Sequence, residues 1–401
     1  MKKNNFRGLI AAAAALACGT MATQLVAADS VKMDKKVTNK SSMLDYTAVL
    51  PRGKTLPKDV FRFWAPYRAI TADQAFDASG KLQDAPVDIE VRASALVLEY
   101  GITDDISFQL VVPQFRKNRV SLNSKKAQQT AIQGIAQGLA QDPRIPCKTV
   151  AECSAWIDAG NSLPVDLNLG PAVVPAGVPL KQAAILAASN AKAAVDNDGA
   201  IGLGDVEIGA LYKAVETSNF MFAAGLGFRL PTGTFGEVDE LDTGRGTTDL
   251  GLRLNLDYAL TRASLLSWQH QFERMIFAGE KNQLGTSEKL DFERVGVRSH
   301  GSLQLGYNLG NLDMALKSLG VTMSANYDFD AETRIDGEVT ESALKSSRRS
   351  QLYSGAMTFN INGLDYGIPG SLELEYTRPF QGKNAVATRM NGFILKGYVK
   401  F

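Results

Sequence analysis

Hydrophobic and polar residues alternate with a period of two along most of the chain. In the segment 249–258, leucines occupy the even positions from Leu250 to Leu256, while the odd positions carry charged, amide or glycine residues. Successive side chains of a β-strand point to opposite faces, so this pattern predicts a strand with one apolar and one polar face. The final stretch, 391–401, alternates in the same way. Because a soluble sheet can also contain such a strand, the number and connection of the strands decide the fold.

Twelve segments share this alternation. They are residues 59–67, 90–100, 107–115, 206–213, 220–230, 249–258, 265–275, 293–307, 319–329, 351–361, 371–377 and 391–401. Short turns alternate with longer, mostly polar loops between them. An even strand number with this alternation is typical of outer-membrane proteins, whose sheet must close because lipid cannot pair a free edge. The sequence therefore predicts an all-β fold, a 12-stranded antiparallel transmembrane β-barrel over residues 59–401, in which the last strand pairs with the first.

Aromatic residues on the predicted outer face lie beside short turns or at the C-terminus. They are Tyr100, Tyr212, Phe220, Tyr258, Tyr307, Phe359 and Phe401. Amphipathic rings are stable where lipid meets water, so these side chains are expected to form a girdle at the periplasmic interface. Phe401 also resembles the C-terminal aromatic residue by which barrel-assembly machinery recognises its clients, and we expect it to act as an assembly signal.

The N-terminus matches the pattern of a secretory signal peptide, residues 1–28. Basic residues precede an apolar run at 8–17 that is too short to span a bilayer, and a small-residue cleavage site ends at Ala28. A lipoprotein attached through Cys18 is the alternative, although the residues before this cysteine resemble a lipobox poorly. The polar stretch 29–58 is expected to form an irregular periplasmic N-terminal segment.

The alternation stops between residues 116 and 203, which we predict to form a long, partly helical outer loop. Helical patterns cover 125–141 and 180–194, and a capping-box pattern at 149–152 begins a short helix between them. Loops of this length usually carry a role, so a lid, a plug or a partner-binding element is expected. Cys147 and Cys153 are expected to form a disulfide in the oxidising compartment, which stabilises the loop by about 2 kcal/mol.

Composition argues against several classes of partner. Loss of three basic residues with the signal peptide leaves 40 of the 43 Lys and Arg against 42 Asp and Glu, a net charge of about −2, so no nucleic-acid partner is expected. No apolar run beyond the signal peptide reaches 18 residues, so helical membrane spans are not expected. The acidic segment 237–242 lacks the spacing of an EF-hand loop, and neither a metal nor another cofactor is expected.

The polar faces of the strands are expected to line the barrel lumen. The candidate pore-lining residues are Arg62, Trp64, Glu99, Arg229, Asp249, Arg253, Asp257, Glu273, Glu373, Glu375 and Lys396. A barrel of 12 strands is intermediate between one filled by side chains and one with a wide aqueous channel. These charges therefore either create the field of a narrow pore or neutralise one another in a closed lumen.

Three motifs carry a resemblance to a known family. They are residues 100–113 (YGITDDISFQLVVP), 230–233 (LPTG) and 242–249 (DTGRGTTD). In these motifs the chain resembles the meta-pathway phenol-degradation family of outer-membrane proteins. The resemblance covers roughly residues 56–401 and implies a barrel that passes small, often aromatic or hydrophobic, compounds across the outer membrane. The helical insertion at 116–203 departs from the family pattern.

The sequence leaves three functional hypotheses. The first is an outer-membrane channel or transporter that contacts membrane lipid and carries a small-molecule solute. The second is a surface-exposed binding or structural barrel with a closed lumen. The third is a phospholipase-like hydrolase that uses His300 and Ser302, which stand on one strand face as a His-assisted Ser nucleophile requires. We expect no enzymatic activity, because this face is predicted to point into the lumen rather than at lipid. In addition, no Asn-Gly follows Ser302 as it does in outer-membrane phospholipases.

Overall fold

The computed structural model describes residues 53–162, 167–169, 172–174, 176–195, 201–234, 243–277, 280–282, 289–335, 341–342, 345–346, 349–363 and 367–400. The predicted signal peptide with Cys18, residues 29–52 of the predicted periplasmic segment, the acidic segment 237–242 and Phe401 lie outside these ranges.

Twelve long strands form the wall of the molecule. In chain order they are β1 (Val60–Phe76), β2 (Leu82–Gly101), β3 (Ile106–Leu122), β4 (Val206–Glu216), β5 (Phe220–Leu230), β6 (Thr248–Ala259), β7 (Ser264–Phe277), β8 (Val297–Asn308), β9 (Leu319–Asp330), β10 (Ser350–Asn362), β11 (Gly370–Lys383) and β12 (Arg389–Lys400). Each strand pairs antiparallel with the next, and β12 pairs with β1. Trp64 on β1, for example, lies opposite both Val97 on β2 and Lys396 on β12. The ring is closed, and the predicted 12-stranded antiparallel barrel is confirmed.

The wall is apolar on its outer face and polar on its inner face. On β6, Leu252 is 41% exposed, whereas Asp249, Asn255 and Asp257 are at most 1% exposed. Outer side chains meet lipid, while inner side chains pack against one another inside the ring. The alternation in the sequence therefore separates the two faces.

Strands β1, β2 and β3 extend well beyond their predicted ends, on the side away from the short turn at 102–105. β1 continues to Phe76, β2 begins at Leu82, and β3 continues to Leu122. Residues 116–122 are therefore strand, which corrects the predicted start of the insertion at residue 116. Outside the membrane both faces of a strand meet water, so alternation of apolar and polar residues is no longer required. Backbone pairing can therefore continue where the alternation has stopped.

A second correction concerns the predicted strand 293–307. Gly296 has a φ of +107°, a conformation that residues with a side chain rarely adopt, and it interrupts the strand there. The wall strand β8 begins at Val297, and the preceding residues Lys289–Val295 pair instead with Glu332–Ile335. Because Glu332–Ile335 directly follows β9, the pairing of β8 with β9 continues beyond the break at Gly296 into the outer connections.

The insertion contains three α-helices among its described residues, which together we call the helical cap. They are α1 (Ser124–Gln141), α2 (Val150–Asp158) and α3 (Leu180–Val195). The side chain of Asn123 caps α1, and Thr149 and Glu152 form the predicted capping box of α2. None of the described helices is long and apolar enough to cross a membrane.

The helical cap has its own hydrophobic core. Leu139, Ile145, Ile157 and Leu180 are at most 1% exposed and pack in one cluster. Cys147 and Cys153 join this cluster as a disulfide, which confirms the predicted pairing. The cap is bonded to the extended parts of β1–β3. Lys126 Nζ on α1 donates to the Asp73 carbonyl oxygen on β1 at 3.0 Å.

Candidate functional site

The lumen is the candidate site, because the buried charges of the barrel meet there. It contains a cavity of about 90 Å³ whose polar lining includes Glu99, Gln109, Glu207, Arg229, Arg253 and Glu273. The charged side chains form two groups, one near each end of the barrel. The short turns, the start of β1 and the end of β12 mark the periplasmic end, as in other outer-membrane barrels.

The first group, which we call the outer-end cluster, consists of Glu207, Arg229, Arg245, Asp249, Glu273 and Arg298. Arg229 on β5 lies at its centre, with Nη2 2.7 Å from Glu207 Oε1 and Nη1 2.8 Å from Glu273 Oε2. Arg245 Nη1 lies 3.1 Å from the same Glu273 oxygen. Charge-assisted, forked arginine contacts of this kind hold their partners in fixed positions. The three cations and three carboxylates therefore form one connected network on the inner wall.

The loop before β6 positions Arg245. The Asp205 carboxylate accepts hydrogen bonds from the Gly233 N–H at 3.1 Å and from the Arg245 N–H at 2.6 Å. A Cβ atom on Gly233 would lie 2.6 Å from the Gly244 Cα, so the two motif loops can approach this closely only with glycine. The LPTG and DTGRGTTD motifs therefore fold against each other and direct Arg245 toward Glu273.

The second group, which we call the periplasmic-end cluster, consists of Arg62, Trp64, Glu99, Glu373 and Lys396. Arg62 Nε donates to Glu99 Oε2 at 2.7 Å, and Lys396 forms an ion pair with Glu373. The Arg62 guanidinium lies 4.8 Å and the Lys396 ammonium 5.0 Å from the centre of the Trp64 ring. Both separations are within cation–π range, so two cations contact the indole on the inner wall.

Three predicted lumen residues lie outside both clusters. Arg253 Nη2 donates to Gln271 Oε1 at 3.1 Å, and Glu375 pairs with Arg68 at 3.2 Å. Asp257 accepts from Ser267 Oγ at 2.5 Å. The inner face of the strands thus also carries isolated polar pairs that belong to neither cluster.

Several lumen residues were not among the predicted ones. Arg245 was missed because it belongs to a loop, where strand alternation carries no information. Arg298, whose Nε lies 3.0 Å from Asp330 Oδ1, occupies an inward position of the predicted strand 293–307, so the alternation could have identified it. Gln109 donates to Glu99 at 2.9 Å, and its inward position in the alternation was a signal that could have identified it.

The Ser302 and His300 pair does not form in this structure. Ser302 Oγ accepts a hydrogen bond from Gln304 Nε2 at 3.0 Å, and within the described ranges no hydrogen bond joins Ser302 to His300. Both residues are on the inner face of β8, where His300 lies opposite Gln271. Among the described residues, no three His, Cys, Asp or Glu side chains are grouped as metal ligands.

A closed, even-stranded ring with an apolar outer face and a charged interior defines an outer-membrane β-barrel. The family model described as "Putative MetA-pathway of phenol degradation" matches residues 168–387, more than half of the chain. The chain therefore belongs to this family, and the resemblance expected from its motifs is confirmed.

Solved structures support the fold. The COG4313 outer membrane channel from Pseudomonas putida F1 is 15% identical, with a TM-score of 0.57 over 87% of this chain and 98% of that one. A TodX monoaromatic hydrocarbon channel mutant is 11% identical, with a TM-score of 0.38 over 86% of this chain and 90% of that one. This second likeness is too weak to carry an argument. No curated protein matches the chain.

Proposed function

We propose that this protein is a passive outer-membrane channel for small solutes, including amphipathic aromatic compounds. The observation that carries the proposal is a lumen that is lined by two ordered charge clusters and encloses a cavity of about 90 Å³. Ordered charges inside a barrel create a local field that selects solutes by charge and by hydrogen bonding.

The aromatic part of the proposal rests on Trp64 and on family membership. An indole on the inner wall offers a face on which a flat ring can stack. The neighbouring Arg62 and Lys396 can hydrogen-bond a phenol hydroxyl or an aromatic carboxylate. The same charged surroundings disfavour a wholly apolar solute, which would have to displace polar contacts without replacing them.

The test is solute passage through the purified protein in liposomes and planar bilayers. We expect measurable conductance, and faster swelling of liposomes in phenol or benzoate than in a saturated hydrocarbon acid of similar size. Folding is monitored by heat-modifiable migration in gels. Folded protein that admits neither ions nor any of these solutes would refute the proposal.

The helical cap supports a second candidate, a surface-binding role. It has its own buried core and disulfide, so it is a folded unit rather than a simple connection. A barrel that lacks residues 124–195 separates the two proposals. Unchanged conductance together with loss of an outer ligand would favour surface binding by the cap.

A further inference from the structure

The chain before β1 crosses the periplasmic mouth of the barrel. We call this segment, residues 53–58, the N-terminal strap. Its near end is bonded to the β2–β3 hairpin, where the Lys58 N–H donates to Asp104 Oδ1 at 2.9 Å and the Leu56 N–H donates to Ser107 Oγ at 2.7 Å. At its far end, the Gly53 N–H donates to Asp257 Oδ2 at 2.7 Å. Asp257 is on β6, five strands along the closed ring of twelve from β1, and so nearly opposite.

The near end of the strap fits closely into the barrel. Thr55 and Leu56 are each 5% exposed, and Thr55 Oγ1 donates to the Asp104 carbonyl oxygen at 2.8 Å. A Cβ atom on Gly101 would lie only 2.0 Å from the Pro57 carbonyl oxygen, so β2 accommodates the strap through a glycine. This end has several independent contacts and behaves as an anchor.

The far end is held differently. Gly53 covers Asn255 on β6, and a Cβ atom on Gly53 would lie 3.5 Å from the Asn255 Cβ. Asn255 is 1% exposed, and neither atom of its side-chain amide has a hydrogen-bond partner among the described residues. A buried amide without partners destabilises the arrangement that buries it. Release of Gly53 would expose Asn255 to water and remove this cost, while the bond to Asp257 favours the docked arrangement.

We propose that the N-terminal strap is a periplasmic gate with a fixed near end and a releasable far end. In the closed state Gly53 is docked on Asp257 and Asn255, and Lys54 contributes to the lining of the luminal cavity. In the open state residues 53 and 54 leave β6 and clear the mouth, while residues 56–58 stay bound to the β2–β3 hairpin. This inference rests on the proposed channel function, since a gate has meaning only for a lumen that conducts.

A reversible cross-link tests the gate. The separation of 3.5 Å between the two Cβ positions is within the range of a disulfide, about 3.5 to 4.5 Å, so Gly53→Cys combined with Asn255→Cys should cross-link the closed strap. In planar bilayers we expect the oxidised double variant to conduct several-fold less than the same protein after reduction. The single variants Gly53→Cys and Asn255→Cys control for the reductant, which also reaches the native disulfide.

Two further variants should change the open probability of the channel in opposite directions. Asp257→Ala removes the acceptor for Gly53 and should raise the open probability. Asn255→Leu replaces the unpaired amide by an apolar side chain of similar size and should lower it. Heat-modifiable migration verifies that each variant is folded.

The outcomes separate the gate from the channel. Equal conductance of the oxidised and reduced double variant, or failure of the cross-link to form in folded protein, overturns the gate while a conducting wild type leaves the channel standing. If the wild type and the reduced variant both fail to conduct, the proposed function itself fails.

Discussion

Arg229 and Glu273 form a two-pronged contact on the inner wall, with Nη1 2.8 Å from Oε2 and Nη2 3.0 Å from Oε1. The two residues are on β5 and β7, so the contact passes over the intervening strand β6, where Gly251 lies opposite Glu273. The contact thus fixes the position of the outer-end cluster relative to three strands of the wall.

Replacement of Arg229 should change the charge selectivity of the channel. Arg229→Ala leaves Glu207 and Glu273 with fewer cationic partners, so the lumen becomes more negative by one charge. One uncompensated charge in the lumen changes the energy of a permeating ion by about 1 kcal/mol or more. This corresponds to an increase of about fivefold in the cation-to-anion permeability ratio. The measurement is the reversal potential across a salt gradient.

A matched control for this change is Arg68→Ala. Arg68 is also an arginine paired with a glutamate in the barrel, but its side chain is 46% exposed and lies outside the cluster. Salt screens such a pair, so its loss should shift the reversal potential far less. Equal shifts in the two variants would contradict a selective role for the cluster.

Replacement of Trp64 should weaken the interaction with aromatic solutes. Ring stacking contributes about 0.5 to 1.5 kcal/mol, so Trp64→Ala should raise the concentration of benzoate that half-blocks the conductance by about 2- to 10-fold. Trp64→Phe keeps a ring and should retain most of the block. If Trp64→Ala leaves the block unchanged, aromatic solutes do not stack there.

Acid should loosen the start of α2 in the helical cap. The N–H groups of Lys148 and Thr149 donate to the Glu152 carboxylate and lower its pKa. A carboxyl group with a lowered pKa stabilises the fold above its unfolded pKa of about 4.5, and this contribution is lost as the pH falls through the folded value. Hydrogen exchange of the α2 amides, corrected for intrinsic rates, should therefore accelerate below about pH 4.

The variant Glu152→Gln controls for this effect. Its amide cannot titrate, so the acid-dependent part of the exchange should disappear and the rates should be uniformly higher than in the wild type at neutral pH. Retention of the same acid dependence in Glu152→Gln would assign it to another group.

Removal of Phe401 should impair assembly more than selectivity. The C-terminal aromatic residue is proposed to mark the chain for the barrel-assembly machinery, whereas selectivity is proposed to depend on the two charge clusters. We expect several-fold less folded protein in the outer membrane, measured by heat-modifiable migration of the membrane fraction. Phe401→Tyr keeps the ring as a control, and normal levels of the truncated protein would contradict the prediction.

The barrel was predictable because lipid and lumen impose different requirements on alternate residues. On β6, Leu252 and Asp257 identify the two faces from sequence alone. Where both faces are wet the alternation disappears, so the continuation of β3 through residues 116–122 could not be recognised. The break at Gly296 was also missed, because a glycine in an alternating segment is compatible with either a strand or a bend.

Most inner-wall residues of the two clusters were predictable as inward-facing, but their grouping was not. Arg229 and Glu273 are 44 positions apart in sequence, and the antiparallel pairing of β5 with β6 and of β6 with β7 brings them together. Arg245 depends on hydrogen bonds to Asp205 from a loop without periodicity. The N-terminal strap is a similar case, since its contacts with Ser107 and Asp257 depend on folding of the barrel around it.

The height of β2 determines what surrounds the helical cap in the cell. β2 has 20 residues, whereas about 9 to 11 residues of a tilted strand cross a bilayer. At about 3.3 Å per residue and a tilt near 45°, the remaining half rises roughly 20 Å above the lipid. The cap is bonded to this raised part of the wall, so it lies above the lipid rather than among its acyl chains.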